Sequence, residues 1–424
     1  MKLNYKRTIL VGFAFFLISA FWVAYDSAVN LILTNKFNVT PDVRGFILAL
    51  DNIFAVIMLP IFGALSDKCT GAKFGKRTPF ILVGTLLAAV SFSLLGFIDT
   101  LVGFIVVLLI VLLSMSTFRS PAVALMPDVT VKPLRSKGNA IINLMGTIAG
   151  VIALVFGMIF KTEVPGKTDF GPYMIAVSAL MVVSLIVFLS TVKERAWAKD
   201  MELETEKLGI VEKEENNEPK RALSRPELIS LFLILASVAL WYMGYNAVTS
   251  VYADYATNHL GIDQNLTLII AQASAAVAFI PAGILATKIG RRRSILIGVV
   301  LLCCAFGAAS FIVRGTSPIV MYLLFALAGI GWATINVNSF PMVVELARGG
   351  DVGKYTGFYY TASMSAQILT PILSGFCIKY FSYSILFPYA ALFVALSFLT
   401  MYFVKHGDAK AEKRGALESF DVDD

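Results

Sequence analysis

The chain has 424 residues, of which 58% are hydrophobic and 15% charged, with a formal net charge of +7. This composition is too apolar for a soluble protein of that length and indicates a polytopic membrane protein. The basic excess is the bias that cytoplasmic loops of membrane proteins carry, so we expect no nucleic-acid partner.

Twelve stretches of the sequence are apolar over about 20 residues, the length that a helix needs to cross a bilayer. Backbone groups in lipid must bond within their own segment, and no alternating strands typical of a barrel are present, so an all-α membrane fold is predicted. The stretches lie near residues 8–34, 43–65, 79–98, 101–126, 139–161, 171–192, 227–254, 265–287, 294–313, 318–346, 355–378 and 383–404.

Lysine and arginine are distributed unevenly between the two sides of the predicted membrane. Of 35 basic residues, 28 lie in the N-terminus, the even-numbered loops and the C-terminal tail, six lie in or beside odd-numbered loops, and Arg119 lies within a segment. Both termini are therefore predicted to be cytoplasmic. The first segment is too long for a signal-peptide core and has no small-residue cleavage site, so it should remain as a spanning helix.

A polar stretch after the sixth segment divides the chain. The predicted parts are an N-terminal six-helix bundle at 1–192, a cytoplasmic linker at 193–226, a C-terminal six-helix bundle at 227–404 and a cytoplasmic tail at 405–424. The linker is too polar to bury a core of its own, and a surface helix around Trp197 is the alternative. Ser224 and Glu227 have the spacing of a capping box that would begin the seventh segment.

The two halves repeat each other in parallel at an offset of about 220 residues. Four features recur in the same order, which is hard to obtain by chance. They are WxxYD at Trp22 and YxxYN at Tyr242, Asp51 with Pro60 and Gln272 with Pro281, RTPFILVG and RRSILIG, and Pro121 and Pro341. Paired six-helix repeats are typical of transporters whose halves rock about a site near the middle of the membrane.

Three charged residues lie well inside predicted helices, where a charge costs roughly 2.5 to 3.5 kcal/mol at the bilayer centre. They are Asp26, Asp51 and Arg119. Two carboxylates against one guanidinium leave one carboxylate for a proton or Na⁺ to neutralise, so we predict that the three residues couple transport to a cation. The alternative is a static ion network that only fixes helix packing. Asp51 is the preferred coupling residue because it lies deeper in its helix than Asp26.

Aromatic, amide and hydroxyl side chains share helix faces with these charges. Such faces suit a small-molecule ligand with many hydroxyl groups, such as a sugar. Side chains of these types also join helices in membranes, which is the competing interpretation of each one. The candidate substrate-binding residues are Trp22, Asn30, Tyr242, Asn246, Gln272, Trp332, Asn336 and Gln367.

The loop between the second and third segments, SDKCTGAKFGKRTPF, joins an acid to clustered basic residues. This pattern resembles the signature loop of the major facilitator superfamily, and its longer form is similar to that of plant sucrose transporters and their bacterial relatives. The resemblance implies the major facilitator fold, with two pseudo-symmetric six-helix bundles, and a cytoplasmic gate in this loop. The gate residues would be Gly63, Asp67, Gly75, Lys76 and Arg77. The second copy of the loop, ATKIGRRRS, has Thr287 in place of the acid.

The stretch PDVTVKPLRSKGNA after the fourth segment is also similar to the glycoside-pentoside-hexuronide cation symporters. The resemblance implies a secondary active transporter that imports a sugar or glucoside with H⁺ or Na⁺. In the sucrose group, Arg119 matches an arginine that serves substrate binding or coupling. A proton-coupled exporter of drugs or metabolites is the alternative.

Other classes of protein find little support in the sequence. It contains no HExxH, GxSxG or P-loop motif, so an enzyme is not expected. The two histidines, His259 and His406, are too far apart along the chain to suggest a metal site. We expect a monomer in the cell membrane, surrounded by lipid, that needs no cofactor other than its coupling ion.

Overall fold

The computed structural model describes residues 3–69, 75–131, 134–207, 223–346 and 352–407. In these residues the chain is helical apart from short turns, and it forms no strand. Twelve of the described helices are long and apolar enough to cross a membrane. The predicted all-helical membrane fold is therefore confirmed.

The helices of the first half follow the predicted segments and are numbered in chain order. They are α1 (Tyr5–Asn35), α2 (Pro41–Lys68), α3 (Thr78–Leu95), α4 (Leu101–Asp128), α5 (Arg135–Ile159), α6 (Gly171–Thr191) and α7 (Glu194–Lys207). Helix α7 occupies the beginning of the predicted linker, and the guanidinium of Arg7 on α1 lies 4.9 Å from the ring of Trp197. The linker between residues 208 and 222 lies outside the described residues.

The second half repeats this pattern of spanning helices. Its elements are α8 (Arg225–Asp254), a π-helical turn (Tyr255–Leu260), α9 (Gln264–Ile289), α10 (Arg291–Ala309), α11 (Pro318–Val344), α12 (Val352–Phe381), a 3₁₀ turn (Tyr383–Ile385) and α13 (Leu386–Tyr402). The tail after residue 407 lies outside the described residues.

Polar side chains fix where helices begin, because the first N–H groups of a helix have no partner within it. At α1, Oδ1 of Asn4 accepts a hydrogen bond from the backbone nitrogen of Arg7 at 3.1 Å. At α8, the predicted capping box is confirmed, and the backbone nitrogen of Ser224 donates to Oε2 of Glu227 at 2.8 Å.

The chain forms two compact units. The first comprises Met1–Val39 and Leu50–Val211, and the second comprises Thr40–Ala49 and Glu212–Asp424. In the first unit, α1 packs on α5 and α6, and α3 packs on α4 and α6. In the second unit, α8 packs on α12 and α13, and α10 packs on α11 and α13. These are corresponding pairs, so the repeat in the sequence is also a repeat of helix packing.

Prolines mark corresponding places in the two units. Pro60 lies inside α2 and Pro281 inside α9, while Pro121 lies inside α4 and Pro341 inside α11. A proline inside a helix removes one backbone hydrogen bond and favours a bend. Each unit therefore has two helices that are weakened at matched positions.

Helix α8 shows how the sequence separates the interior of a unit from its outer face. Trp241 and Tyr252 are fully buried in the core of the second unit. On the same helix, Phe232 is 71% exposed and Leu228 is 56% exposed. Large apolar side chains that face outward suit a lipid environment, where no water has to be ordered around them.

Candidate functional site

The three charged residues predicted inside the membrane lie near one another in the first unit. Asp26 is on α1, Asp51 on α2 and Arg119 on α4. The carboxylate of Asp51 interacts electrostatically with the charges of both Arg119 and Asp26. Asp26 is exposed, while Asp51 and Arg119 are partly exposed. Packing among the described helices therefore does not fully enclose this group.

The chemistry of this cluster depends on its charge balance. Two acids and one guanidinium carry a net negative charge when both acids are ionised. Burial favours the neutral form of a carboxylic acid, whereas a nearby guanidinium favours the ionised form. Asp51 is also stabilised by Asn52, whose Nδ2 donates to Oδ1 of Asp51 at 2.7 Å. Small changes in helix position can therefore change how many protons or cations the cluster holds.

An aromatic group lies beside these charges. The guanidinium of Arg119 is 5.4 Å from the ring of Trp22, and Trp22 makes edge contacts with Phe21 at 5.2 Å and Tyr25 at 5.4 Å. In the described part of the chain, Nε1 of Trp22 and the hydroxyl of Tyr25 are buried and have no hydrogen-bond partner. Buried polar atoms normally have partners, so a ligand is a natural candidate to bind these two.

The second unit contains an aromatic cluster at the repeat-related position. The rings of Tyr245 and Trp332 are stacked, with centroids 3.7 Å apart, and Tyr242 meets Trp332 edge-on at 5.2 Å. Tyr242, Tyr245 and Trp332 are partly exposed. Beside them on α8, Nδ2 of Asn246 is buried and has no hydrogen-bond partner among the described residues. An apolar face next to a spare donor suits a ring that bears hydroxyl groups.

The other predicted substrate residues fall into two groups. Asn30 is 1% exposed and Asn336 is 8% exposed, so both lie within the packing of their own units. Gln272 on α9 and Gln367 on α12 are partly exposed. The structure thus brings Trp22 to the charged cluster and Tyr242 to Trp332, but it buries the two asparagines among the helices.

The predicted gate residues are organised around Arg77, which precedes α3. Its guanidinium donates to Oδ2 of Asp128 at 2.8 Å, and also to Asp67 and to the hydroxyl of Ser66. Burial lowers the pKa of Arg77, but Asp128 and Asp67 outweigh this effect and leave that pKa above its usual value. Lys76 adds an ion pair with Asp128 at 3.2 Å. All these groups lie in the first unit.

The two glycines of the predicted gate permit close approaches. Gly75 has a φ of +118°, and a Cβ there would lie 2.3 Å from the side chain of Glu194. A Cβ at Gly63 would lie 2.8 Å from Oγ of Ser120 on α4. Gly75 in particular has both a left-handed backbone and no room for a side chain, so no other residue type fits without a rearrangement.

Sequence reasoning missed Glu194, which is 2% exposed at the start of α7. Its carboxylate accepts hydrogen bonds from the backbone nitrogens of Arg77 and Thr78, both at 2.8 Å, and from the hydroxyl of Thr78 at 2.7 Å. The predicted linker is rich in acids, and no local pattern distinguishes this one. The side chain attaches the beginning of α7 to the beginning of α3.

The second unit has a counterpart of the Arg77 arrangement that the sequence did not reveal. Arg291, at the start of α10, forms an ion pair with Glu345, directly after α11. These positions correspond to Arg77 before α3 and Asp128 at the end of α4. In the sequence repeat, the position that matches Asp67 is Thr287, at the end of α9. The repeat therefore gives no sign that Arg291 has an acidic partner, and it does not point to Glu345.

A second group of residues that sequence reasoning missed is a buried ion pair in the second unit. Arg44 and Asp254 are 4% and 0% exposed, and Nη1 of Arg44 lies 2.5 Å from Oδ2 of Asp254. Tyr383 completes the group by accepting a hydrogen bond from Arg44 and donating one to Asp254. Both charges lie near the ends of predicted segments, where charges are common. Only their burial distinguishes these two charges from others at helix ends, and burial cannot be read from the sequence.

Twelve spanning helices, repeated packing in two units, and a cluster of two acids and one arginine within the spans together define a membrane transporter rather than an enzyme. In the described residues, no three His, Cys, Asp or Glu side chains are arranged to hold a metal ion. The family model described as MFS/sugar transport protein matches residues 10–405. The chain therefore belongs to the major facilitator superfamily, and the predicted fold class is confirmed.

Individual proteins show the same relationship. The chain is 24% identical over 362 residues to an uncharacterised MFS-type transporter of Methanocaldococcus jannaschii, covering 85% of each chain. It is 29% identical over 135 residues to a sucrose transport protein of Arabidopsis thaliana, covering 27% of this chain and 23% of the plant protein. The sequence resemblance to sucrose transporters is thus found in part of the chain.

Solved structures extend the likeness in fold over nearly the whole chain. The inward-open xylose transporter XylE of E. coli has a TM-score of 0.71 at 15% identity, covering 95% of this chain and 97% of XylE. The nucleoside transporter NupG has a TM-score of 0.66 at 14% identity, covering 95% of this chain and all of NupG. The TM-scores show that the fold is shared. At such low sequence identities they do not show that the substrate is shared.

Proposed function

We propose that this protein is a secondary active transporter that carries a sugar or glucoside together with a proton by alternating access. The observation that carries the proposal is the cluster of Asp26, Asp51 and Arg119, which lies within the spanning helices of the first unit and is not fully enclosed by packing. Charges in that position are costly and are retained where they serve transport. The excess carboxylate gives the coupling ion a place to bind.

The proposed mechanism uses the competition of two acids for one guanidinium. With a proton on Asp51, Arg119 can turn to Asp26 or to a substrate hydroxyl, and the loaded site carries no excess charge. When the proton leaves, Asp51 attracts Arg119 again and weakens its bond to substrate. Binding of proton and substrate is thereby linked, as symport requires. Na⁺ in place of the proton would satisfy the same charge balance.

The sugar proposal rests on two aromatic groups with spare polar atoms. Trp22 in the first unit and Trp332 in the second offer ring faces, and Nε1 of Trp22 and Nδ2 of Asn246 have no hydrogen-bond partner in the described residues. Sugar rings present apolar faces edged with hydroxyl groups, which such surfaces complement. The description of the matching family model, MFS/sugar transport protein, and the sucrose transport protein among the relatives support a sugar as the ligand.

We further propose that Asp67, Gly75 and Arg77 form a cytoplasmic gate, held in shape by Asp128. The hydrogen bonds of Arg77 to both acids support a structured gate rather than a loop whose charges only set topology. The distribution of basic residues supports cytoplasmic termini, and we propose that the protein lies in the cell membrane. A monomer is sufficient, because a single chain supplies both repeats.

Uptake into proteoliposomes tests the proposal directly. The purified protein is reconstituted, and a panel of labelled disaccharides, glucosides and pentoses is offered with a pH gradient or a Na⁺ gradient imposed separately. Accumulation of one sugar above its outside concentration with only the pH gradient is the expected result. Asp51→Asn should abolish that accumulation. Asp200 is an exposed acid on α7, and Asp200→Asn should leave accumulation unchanged.

Two outcomes would overturn the proposal. If no member of the panel enters with either gradient, although the protein is folded and correctly inserted, the sugar assignment fails. If an outward proton gradient instead drives loss of a preloaded drug or metabolite, the protein is an exporter. Uptake that follows Na⁺ alone would retain the sugar and replace the coupling ion.

A further inference from the structure

We infer that Arg44, Asp254 and Tyr383 form a clasp that closes the outer side of the transporter and must open once in each transport cycle. This role rests on the proposed alternating-access function, and the three residues lie outside the proposed coupling and substrate sites. It concerns the beginning of α2, the end of α8 and the turn before α13, all of which belong to the second unit.

The clasp is a closed triangle of polar contacts. Nη1 of Arg44 lies 2.5 Å from Oδ2 of Asp254, Arg44 also donates to the hydroxyl of Tyr383, and that hydroxyl donates to the same Asp254 oxygen. The other carboxylate oxygen accepts from Nδ2 of Asn258 at 2.7 Å. The ring of His259 packs against the ring of Tyr383, with the two centroids 3.8 Å apart.

Burial makes this clasp different from a surface ion pair. Arg44 is 4% exposed and Asp254 is 0% exposed. A buried pair that loses one partner leaves an uncompensated charge, whereas an exposed pair contributes little. The pair formed by Asp42 and Lys379 at 2.8 Å is of the second kind, since the lysine is 40% exposed. The chain therefore supplies a matched control two residues from Arg44.

Backbone contacts show that α2 is seated closely at this point. A Cβ at Gly45 would lie 2.1 Å from the carbonyl oxygen of Pro371 on α12, and a Cβ at Gly375 would lie 2.4 Å from that of Pro41. Glycine at both positions is what allows the two backbones to approach. At this point the beginning of α2 is therefore held by a close backbone contact with α12 as well as by the ion pair with Asp254.

The clasp is placed to act on the coupling site through α2. Helix α2 begins in the second unit and belongs to the first unit from Leu50 onward. Asp51 follows Arg44 by seven residues, so the two lie on the same face of the helix about 10 Å apart along its axis. Opening of the clasp would move the helix that carries Asp51, and Arg44 is therefore a positioning residue for coupling.

The test measures distances between spin labels on two turns that share the side of the clasp in the proposed topology. The labels are placed at Val164, between α5 and α6, and at Val313, between α10 and α11, which are 43% and 67% exposed. The four native cysteines are replaced first. Pulsed electron paramagnetic resonance then gives the populations of short and long separations in detergent and in nanodiscs, without any substrate.

The expected result is a shift toward the long separation when the clasp is broken. Tyr383→Phe, which keeps the ion pair but removes the hydroxyl, and the neutral pair Arg44→Gln with Asp254→Asn should each raise the ratio of long to short populations, the pair by roughly tenfold or more. Asp42→Asn should leave the ratio unchanged. The neutral pair avoids a lone buried charge, so it remains informative where Asp254→Asn alone does not fold.

The proposal is overturned if the folded neutral pair and Tyr383→Phe both keep the distance populations of the wild-type protein. It also fails if Asp42→Asn shifts those populations as strongly, because the burial of the clasp would then be irrelevant. This readout needs no sugar. A failed uptake assay with a clear shift would therefore refute the proposed substrate alone, and normal uptake without a shift would refute the clasp alone.

Discussion

Removing the carboxylate of Glu194 should destabilise the first unit, although the residue lies in a stretch that the sequence predicts as a linker. Glu194 is 2% exposed and accepts three hydrogen bonds from Arg77 and Thr78. Two of the donors are backbone nitrogens at the start of α3, where N–H groups have no partner within the helix. Glu194→Ala leaves all three donors without their acceptor.

The size of the effect follows from these contacts. A buried donor without a partner costs roughly 1 to 3 kcal/mol. Truncation to alanine lets water approach, so the lower end applies to each donor, and the free energy of unfolding should fall by roughly 3 kcal/mol. Both carboxylate oxygens of Glu194 accept bonds. Glu194→Gln must therefore turn its NH₂ group toward at least one donor, and it should cost about half as much or more.

The assay is reversible chemical unfolding of the purified variants in detergent micelles, followed by tryptophan fluorescence. Asp200→Asn is the matched control, because Asp200 lies on the same helix, is 64% exposed and lies 3.8 Å from Arg7, a long and exposed ion pair. The control should change the free energy of unfolding by less than about 0.5 kcal/mol. A loss for Glu194→Ala no larger than that of the control would refute the reasoning.

Three further predictions concern transport. Arg119→Lys should impair uptake nearly as much as Arg119→Ala, because only a planar guanidinium can pair in two directions with a carboxylate or hydroxyl; uptake at the wild-type rate by the lysine variant would contradict this. Asp51→Asn should lose accumulation against a gradient but keep downhill exchange, since an amide mimics the protonated acid and cannot release a proton; if Asp26→Asn behaves in this way instead, the roles are reversed. Trp332→Ala should raise the KM for sugar about tenfold while Trp332→Phe raises it less, and equal values for the two would show that the ring face is not used.

The helices could be predicted from the sequence because hydropathy and capping act within each segment. A stretch of apolar residues is driven into a helix by the lipid around it, whatever the rest of the chain does. The grouping of Asp51 with Arg119 was also predictable, since burying a lone charge is costly and the sequence offers few partners. For the spanning helices and for this charge pair, hydropathy and the cost of a lone charge are therefore enough to predict the structure.

The contacts that the sequence did not reveal join residues far apart in the chain. Arg44 and Asp254 are separated by 210 residues, and Arg77 and Glu194 by 117 residues. Charges at the ends of spanning helices are inexpensive when exposed to water, so their sequence position does not indicate that they are buried. The sequence did not reveal the stacking of Tyr245 on Trp332 either. Periodicity places each ring on a face of its helix but does not determine which other helix that face meets.

The division of α2 between the two units has a consequence for recombination between relatives. Residues Pro41–Ala49 lie in the first sequence repeat but pack in the second unit, where Arg44 meets Asp254 and Tyr383. A chimera that exchanges halves at the linker would separate these residues from the partners with which they were selected. A hybrid should be more stable when Pro41–Ala49 and the C-terminal half come from the same parent protein, although this segment lies within the N-terminal half of the sequence.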